Sequence, residues 1–249
     1  MLKRSGDLSQ VVFEKLAACP KGRVLDVGAG SGELSRRFAE IGHETAACNC
    51  MPESEWRHRG MVDYRRCDLA KGIPFPDASF DYVVCLEVIE HLDDPLALCC
   101  ELRRVLRKDG RLFISTPNIL SLRSRVRFLL DGSFVFFNYP PIEWERRDGR
   151  PSVHVHPIRL HELEYYLHRA GLEVDTVFTN MQSPGWKLWF PLIWMIRLYA
   201  RHMINCSRRS DRIPLARIYG QILADDVLYG THLIVSARVG ANGNAYATE

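Results

Sequence analysis

The sequence predicts an α/β fold in which a mostly parallel sheet carries helices on both faces. Short apolar segments of strand character alternate with segments whose apolar residues recur every three or four positions, as on one face of a helix. The chain has 249 residues and is 47% hydrophobic, so it can bury one substantial core. We therefore expect a single domain over residues 1–239 and a disordered tail over 240–249.

Seven segments have the apolar character of strands, and turn residues bound most of them. A helix over 159–170 is expected between the fifth and sixth of these strands, with its leucines facing inward. The predicted strands are 23–28, 42–49, 62–67, 79–86, 111–116, 172–178 and 232–239.

Two further helices are predicted between the early strands. The first carries Leu34 and Phe38 on its apolar face, and Gly42 is expected to end it. The second begins at Asp94, whose side chain can cap the first turn, and is expected to end just before Gly110. After the fifth strand the alternation stops. The remaining segments are predicted insertions at 118–156 and 181–230.

Composition limits the function classes that fit the chain. The net charge of +3 is too small to predict a nucleic-acid partner. The eight cysteines form no C-x-x-C pair, so we expect reduced, mostly buried thiols in a cytoplasmic protein. The first ten residues lack the apolar core of a signal peptide.

Residues 24–35, VLDVGAGSGELS, place glycines at alternate positions directly after a predicted strand. Glycine lets the backbone turn sharply and approach a ligand closely. In a dinucleotide-binding G-x-G-x-x-G turn, position 33 would be glycine and an acid would follow about twenty residues on. The chain has Glu33 and Asn49 at those places, so the sequence does not fit an NAD site.

The spacing D-x-G-x-G-x-G over 26–32 instead resembles motif I of the class I S-adenosylmethionine-dependent methyltransferases. GHETAACNCMPE, CDLAKGIPFPDASFDYVVCLEVIEHLDDP and ELRRVLRKDGRLFISTPN are similar to later strands and helices of that family. The resemblance covers about residues 20–180 and the final strand. It implies a Rossmann-like seven-stranded sheet whose last strand is antiparallel, with S-adenosylmethionine as cofactor.

The resemblance also implies which residues contact the cofactor. The glycine turn and Asp26 would hold the methionine tail, Asp68 and Leu69 the adenine, and Leu86 and Glu87 would lie near the methionine end. A simple turn cap is the alternative role for Asp68. The expected cofactor-binding residues are Asp26, Gly28, Ala29, Gly30, Gly32, Asn49, Cys50, Asp68, Leu69, Leu86 and Glu87.

Asn49 departs from the family, in which an acid usually binds the ribose at this position. An amide can still accept from one hydroxyl and donate to another. It loses a charge-assisted hydrogen bond, worth about 1 kcal/mol, so we expect weakened rather than lost affinity. A non-catalytic cofactor-binding or scaffold protein is one alternative function.

A hydroxyl acceptor needs a base, and histidine is the natural candidate. In PSVHVHP, His154 and His156 flank Val155, so an extended segment places both on one side, near the carboxyl edge of the sheet. These two histidines are the first candidates for the base, and His91 is the next. The alternative is that they are loop histidines bound to backbone carbonyls.

The segment EVIEH, residues 87–91, offers a second kind of chemistry. At the start of a helix, Glu87, Glu90 and His91 can converge on one face. Certain quinone-type O-methyltransferases carry a similar pattern and use it for a divalent metal, whereas in many relatives it only orders the helix start. No metal is expected here, and a site at these three residues is the alternative.

The first insertion interleaves arginines with aromatic residues such as Phe128, Phe134 and Phe136. This pattern favours a lid with aromatic walls and a cationic rim, which suits sugars and phosphates. The surrounding sequence resembles a bacterial methyltransferase branch associated with surface polysaccharide or glycolipid pathways. We therefore predict O-methylation of a sugar or lipid-linked glycan, with a quinone-type, metal-dependent O-methyltransferase as the alternative.

The second insertion contains PGWKLWFPLIWMIRLYARHM, 184–203, and basic residues continue to 209. Charged residues and a proline interrupt the apolar run, so it does not predict a membrane span. It is typical of an amphipathic helix on an anionic membrane surface, which would place the protein on the inner face of the membrane. A helix packed over the sheet and a homodimer contact are the alternatives.

Overall fold

A single seven-stranded sheet organises the chain. The computed structural model describes residues 6–137, 154–182 and 190–240. The strands are β1 Arg23–Val27, β2 Glu44–Asn49, β3 Asp63–Arg66, β4 Phe80–Leu86, β5 Leu106–Pro117, β6 Leu172–Phe178 and β7 His232–Val239. The helices are α1 Leu8–Ala17, α2 Glu33–Glu40, α3 Pro95–Val105, α4 Leu122–Asp131, α5 Leu160–Arg169, α6 Phe190–Cys206, α7 Arg212–Ile222 and α8 Asp225–Leu228.

The strand order is β3-β2-β1-β4-β5-β7-β6, and strands β1 to β5 pair in parallel. Strand β7 lies between β5 and β6 and is antiparallel to both, which confirms the expected final strand. Because β1 and β4 are central and covered on both faces, they have near-continuous apolar sequences rather than alternating ones.

Helices cover both faces, as the alternation predicts. Leu25 and Val83 contribute to a core under α3 and α5, whereas Val24 and Val84 contribute to a core under α1 and α2. Neighbouring residues of one strand point to opposite faces, so each central strand supplies both cores. The predicted inward leucines of α5 are all buried.

The predicted start of the fifth strand is wrong. Helix α3 ends at Val105, and β5 begins at Leu106 rather than at residue 111 because Leu106 pairs with Phe80 of β4. The register then shifts before Tyr82 pairs with Arg111. A glycine at position 110 therefore belongs to an irregular stretch of strand and does not end the helix.

Both insertions contain helices. Helix α4 lies in the first, and α6, α7 and α8 lie in the second; we call these four helices the helical cap. Leu122, Ile193 and Leu228 pack together at its centre. Residues 138–153, 183–189 and 241–249 lie outside the described residues, and so does most of the predicted tail. The domain boundaries stay a prediction.

All eight cysteines are free. Cys48, Cys85 and Cys99 are buried in the core, as expected. Three others are exposed, so the expectation of burial holds for only part of the set. The exposed cysteines are Cys50, Cys100 and Cys206.

Candidate active site at the carboxyl edge of the sheet

The glycine turn, residues 28–32, joins β1 to α2. Its glycines have φ values of 75°, 54° and 79°, which L side chains rarely adopt. A Cβ on Gly28 would overlap Val88, and one on Gly32 would overlap the ring of Trp56. A Cβ on Gly30 would meet nothing within 4 Å. Two glycines thus make room for the protein's own side chains, and Gly30 faces open space in which a ligand can lie.

Asp26 lies at the end of β1, beneath this turn, and is 4% exposed. The hydroxyl of Ser35 donates to its Oδ2 at 2.6 Å. Burial raises the pKa of Asp26 to about 6, because the charged form loses its hydration, and the bond from Ser35 offsets part of that effect. This carboxyl is therefore a buried acid whose ionised form is disfavoured.

Asn49, at the end of β2, is hydrogen-bonded to the glycine turn. Its Nδ2 donates to the Gly30 carbonyl at 3.2 Å, and its Oδ1 accepts from the Cys50 amide at 2.7 Å. The amide of Gly28 donates to the Cys48 carbonyl at 2.8 Å. These bonds join the ends of β1 and β2, and the ribose contact of Asn49 stays a prediction.

Asp68 lies just after β3 and caps a short 3₁₀ turn. Its Oδ1 accepts from the Ala70 amide at 3.2 Å, and its Oδ2 is 3.7 Å from Nζ of Lys71. The turn-cap role considered for Asp68 is therefore present. Contacts of Asp68 and Leu69 with an adenine stay a prediction.

Glu87 follows β4 and adopts a φ of 55°, which is uncommon for a residue other than glycine. Its amide donates to Oγ of Ser115 at 3.1 Å, and the same hydroxyl donates to Glu87 Oε1 at 2.9 Å. Its Oε2 lies 3.4 Å from Nε2 of His232. The serine thus holds the Glu87 carboxyl against the start of β7.

Glu90 is fully buried one turn later, in the 3₁₀ turn Ile89–His91. Neither of its carboxylate oxygens makes a hydrogen bond of good geometry among the described residues, although the Glu87 carboxyl and the Thr116 hydroxyl lie near it. Burial, aided by the nearby Glu87 carboxyl, raises the pKa of Glu90 well above its usual range. A buried, unpaired carboxyl is costly, and such groups concentrate at functional sites.

His154 is held beside this turn. The amides of Val155 and His156 both donate to the Glu90 carbonyl at 3.0 Å. The Nδ1 of His154 is 3.0 Å from the Phe136 carbonyl, which can only accept, so Nδ1 carries the proton. Its Nε2, left as an acceptor, lies 3.9 Å from Glu90 Oε1.

The structure brings together Glu90, His91 and His154, whose ligand atoms lie within 4.8 Å of one another. Glu87 lies near Glu90, as expected, but it is not part of this group of ligand atoms, and its carboxyl contacts Ser115 and His232. We call Glu87, Glu90, His91, His154 and His232 the acid–histidine cluster. No contact among the described residues joins the His156 ring to this cluster, and its buried Nδ1 has no partner there.

Sequence reasoning missed His232. It is the first residue of β7, and its Nδ1 lies 3.2 Å from Oδ1 of Asn180, while its ring stacks on Phe136 at 5.2 Å. Burial lowers its pKa. Its position at the start of β7 could have indicated this role. An antiparallel β7 begins at the edge of the sheet where the parallel strands end, so its first residue lies at the site.

The strand order, the antiparallel β7 and the glycine turn define the class I S-adenosylmethionine-dependent methyltransferase fold. A family model described as a methyltransferase domain matches residues 4–177. The chain therefore belongs to the methyltransferase domain family.

Curated relatives agree with this assignment. A ubiquinone biosynthesis O-methyltransferase from Xylella fastidiosa (strain M23) is 31% identical over 172 residues, which cover 66% of each chain. A ubiquinone biosynthesis O-methyltransferase from Xanthomonas campestris pv. campestris (strain B100) is 37% identical over 108 residues, covering 41% of this chain and 45% of that protein. The chain thus spans between about half and two thirds of the length of these relatives.

Solved structures share the fold. A SAM-dependent methyltransferase from Archaeoglobus fulgidus has a TM-score of 0.55 at 17% identity, covering 94% of this chain and 96% of that one. The 1,6-didemethyltoxoflavin-N1-methyltransferase of Burkholderia thailandensis, solved with bound 1,6-didemethyltoxoflavin and S-adenosylhomocysteine, has a TM-score of 0.54 at 17% identity, covering 96% of this chain and 79% of that one. At this identity the likeness concerns the fold alone.

Proposed function

We propose that this chain transfers a methyl group from S-adenosylmethionine to a phenolic hydroxyl of a quinone-precursor type of acceptor. The observation that carries the proposal is the acid–histidine cluster, where a buried unpaired carboxyl meets imidazoles beside the glycine turn. The names of the curated relatives support the acceptor class. The first expectation, a sugar or lipid-linked glycan, becomes the second candidate.

The glycine turn fits the cofactor. Open space in front of Gly30 can take the methionine tail and ribose, and the buried Asp26 carboxyl stands on β1 just before the turn. The cofactor supplies a methyl group already activated by its sulfonium. The protein then has to align the acceptor oxygen with that carbon and exclude water.

His154 is the residue best placed to take the acceptor's proton. The Phe136 carbonyl fixes the proton on Nδ1, so Nε2 presents a lone pair toward the cluster. Burial and the nearby His91 lower the pKa of His154, which keeps the ring neutral at physiological pH. A neutral imidazole can accept the phenolic proton as the new carbon–oxygen bond forms.

A divalent cation also fits the cluster. Glu90, His91 and His154 would hold it through carboxylate oxygen and imidazole nitrogen, and both Glu90 oxygens are buried without a well-placed partner in the described ranges. Such an ion would supply positive charge that stabilises a phenolate. One Nε2 cannot both hold a cation and accept a proton, so the metal and base roles of His154 exclude each other.

The test measures methyl transfer to a catechol-type phenol and to a panel of sugars, with EDTA or with added Mg²⁺, Mn²⁺ or Zn²⁺. We expect product only from the phenol. Activity abolished by EDTA and restored by one ion assigns His154 to the metal, whereas activity in EDTA assigns it to the base.

Product from sugars alone would replace the proposal by the second candidate, which the exposed ring of Phe136 over His232 favours because sugars stack on aromatic faces. Cofactor binding without product from either class would favour a non-catalytic protein.

A further inference from the structure

We propose that the helical cap docks on the surface of an anionic lipid bilayer through the exposed half of α6. The docking is independent of the proposed methyl transfer. It explains an apolar helix face for which the fold gives no reason.

Helix α6 has two unlike halves. It packs on the cap through Ile193 and Ala200, which are 4% and 2% exposed. At the helical spacing of 3.6 residues per turn, four of its large exposed apolar residues fall on the opposite half. These residues are Trp194, Met195, Leu198 and Tyr199, which are 42–59% exposed, and Phe190 is exposed at the start of the helix. A contiguous apolar patch of this kind marks an interaction surface.

Positive charge is concentrated around the same helix. Residues 190–217 contain six arginines and a single acid, Asp211, although the whole chain carries a net charge of only +3. Within the described ranges, no carboxylate forms an ion pair with five of these six arginines, and the sixth, Arg217, contacts Glu164. Arg212 donates to two backbone carbonyls instead. The other arginines without a carboxylate partner there are Arg197, Arg201, Arg208 and Arg209. Unpaired guanidinium groups are well suited to phosphate.

A second copy of the chain fits this surface poorly. A two-fold interface brings the same patch of both copies together, so the arginines of one would face those of the other with one aspartate each to compensate. Anionic phospholipid offers apolar chains to the aromatic half and phosphates to the arginines. Among the described residues, no helical stretch combines the length and the apolar character of a transmembrane span.

The cap is tied to the active-site edge of the sheet. Asn118, which directly follows β5, donates to the carbonyls of Val227 and Gly230 at 2.8 Å each. These carbonyls lie just before His232 of the acid–histidine cluster. Docking would therefore bring the cluster near the lipid surface, where an acceptor dissolved in the membrane could reach it. This last consequence, unlike the docking, rests on the proposed function.

The experiment is co-sedimentation of the full chain with phosphatidylcholine vesicles that contain or lack phosphatidylglycerol. We expect binding only with phosphatidylglycerol, and weaker binding as salt rises. A variant with Trp194→Ser, Met195→Ser and Leu198→Ser, and another with Arg201→Glu, Arg208→Glu and Arg209→Glu, should each bind more than about tenfold more weakly. Trp194→Ser alone is the fallback if the triple serine variant fails to fold.

Matched controls change the same chemistry elsewhere. Met61→Ser alters an apolar residue that is 50% exposed outside the cap. Lys108→Glu reverses an exposed charge near the start of β5, at the end of that strand opposite the active site. Both should bind vesicles normally. Equal binding to both vesicle types, or unchanged binding in both cap variants, would overturn the proposal. So would a concentration-dependent dimer that the serine variant abolishes while no vesicle binding is seen.

Vesicle binding in a chain that yields no methylated product would uphold the docking and count only against the proposed function.

Discussion

The candidate active site has a cofactor half, around the glycine turn, and an acceptor half, the acid–histidine cluster. The two halves differ in how completely their polar groups are hydrogen-bonded. Around the glycine turn, backbone and side-chain groups pair with each other, as Asn49 does with Gly30 and Cys50. In the acid–histidine cluster, Glu90 is buried, and the described part of the chain offers neither of its oxygens a well-placed hydrogen-bond partner. Because native proteins rarely leave buried polar groups unpaired, the second half carries the cost expected of a site that needs a ligand. In the cofactor half, the protein itself supplies the hydrogen-bond partners. In the acceptor half, we expect a bound ligand to supply those that are missing.

The largest expected effect separates the two histidines that the sequence could not distinguish. His154→Ala should lower kcat by about 10²–10⁴, because a base or ligand is lost from the transition state, whereas His156→Ala should leave turnover close to normal. Steady-state kinetics measure this, and calorimetry with S-adenosylhomocysteine should show unchanged cofactor affinity in both variants. Near-full turnover in both would move the base to His91 or His232.

The next effect concerns the cofactor half. Gly30→Val should weaken S-adenosylhomocysteine binding by about a hundredfold, because the side chain fills the open space in front of the turn. Gly60→Val is the matched control: its φ is 82° and its surroundings are also open, but it lies outside the glycine turn. Calorimetry reports the affinity, and thermal unfolding checks that both variants suffer similar backbone strain. Similar affinity in the two variants would argue against cofactor binding at this turn.

The smallest effect concerns Asp26, the costly group of the cofactor half. Its pKa is raised to about 6 from the usual 3.8, so the folded state favours the protonated carboxyl. That advantage is fully present below about pH 4 and is lost as the pH rises through 6. Asp26→Asn mimics the protonated form, so its gain in the free energy of unfolding should grow from pH 5 to pH 8, where it reaches about 1–3 kcal/mol.

Urea unfolding at the two pH values measures the effect of this substitution, with Asp109→Asn on the exposed start of β5 as a control that should show no such gain. A gain at pH 8 no larger than that at pH 5 would show that Asp26 is not destabilising when ionised.

Local sequence patterns account for most of the fold. The bounds of β6 and β7 follow from compact apolar runs between turn residues, and the seven strands and both helical layers are confirmed. The start of β5 is wrong because pairing with Phe80 overrides the glycine signal at 110. No periodicity distinguishes a helix end from a strand irregularity there.

Only one half of the candidate active site could be predicted from the sequence. The glycine turn is formed by neighbouring residues, so its spacing is visible in the sequence itself. The acid–histidine cluster depends on Glu90 meeting His154, and Glu87 meeting His232, across long separations in the chain. Such contacts are set by strand order and by the backbone bonds of 155 and 156 to Glu90, and a single sequence does not encode them locally.

The position of β7 between β5 and β6 has a consequence for synthesis on the ribosome. Among the described strands, β6 pairs with β7 alone, and the sequence between them is more than fifty residues long. At typical elongation rates of about 5–20 residues per second, roughly 3–12 s pass between the synthesis of β6 and the completion of β7, the strand that pairs with both β5 and β6. During that interval both edges are open to pairing with another chain, and His232 has not yet reached Glu87. A nascent chain therefore forms the cofactor half of the site before the acceptor half. Its strand edges are open to aggregation in the interval between the two.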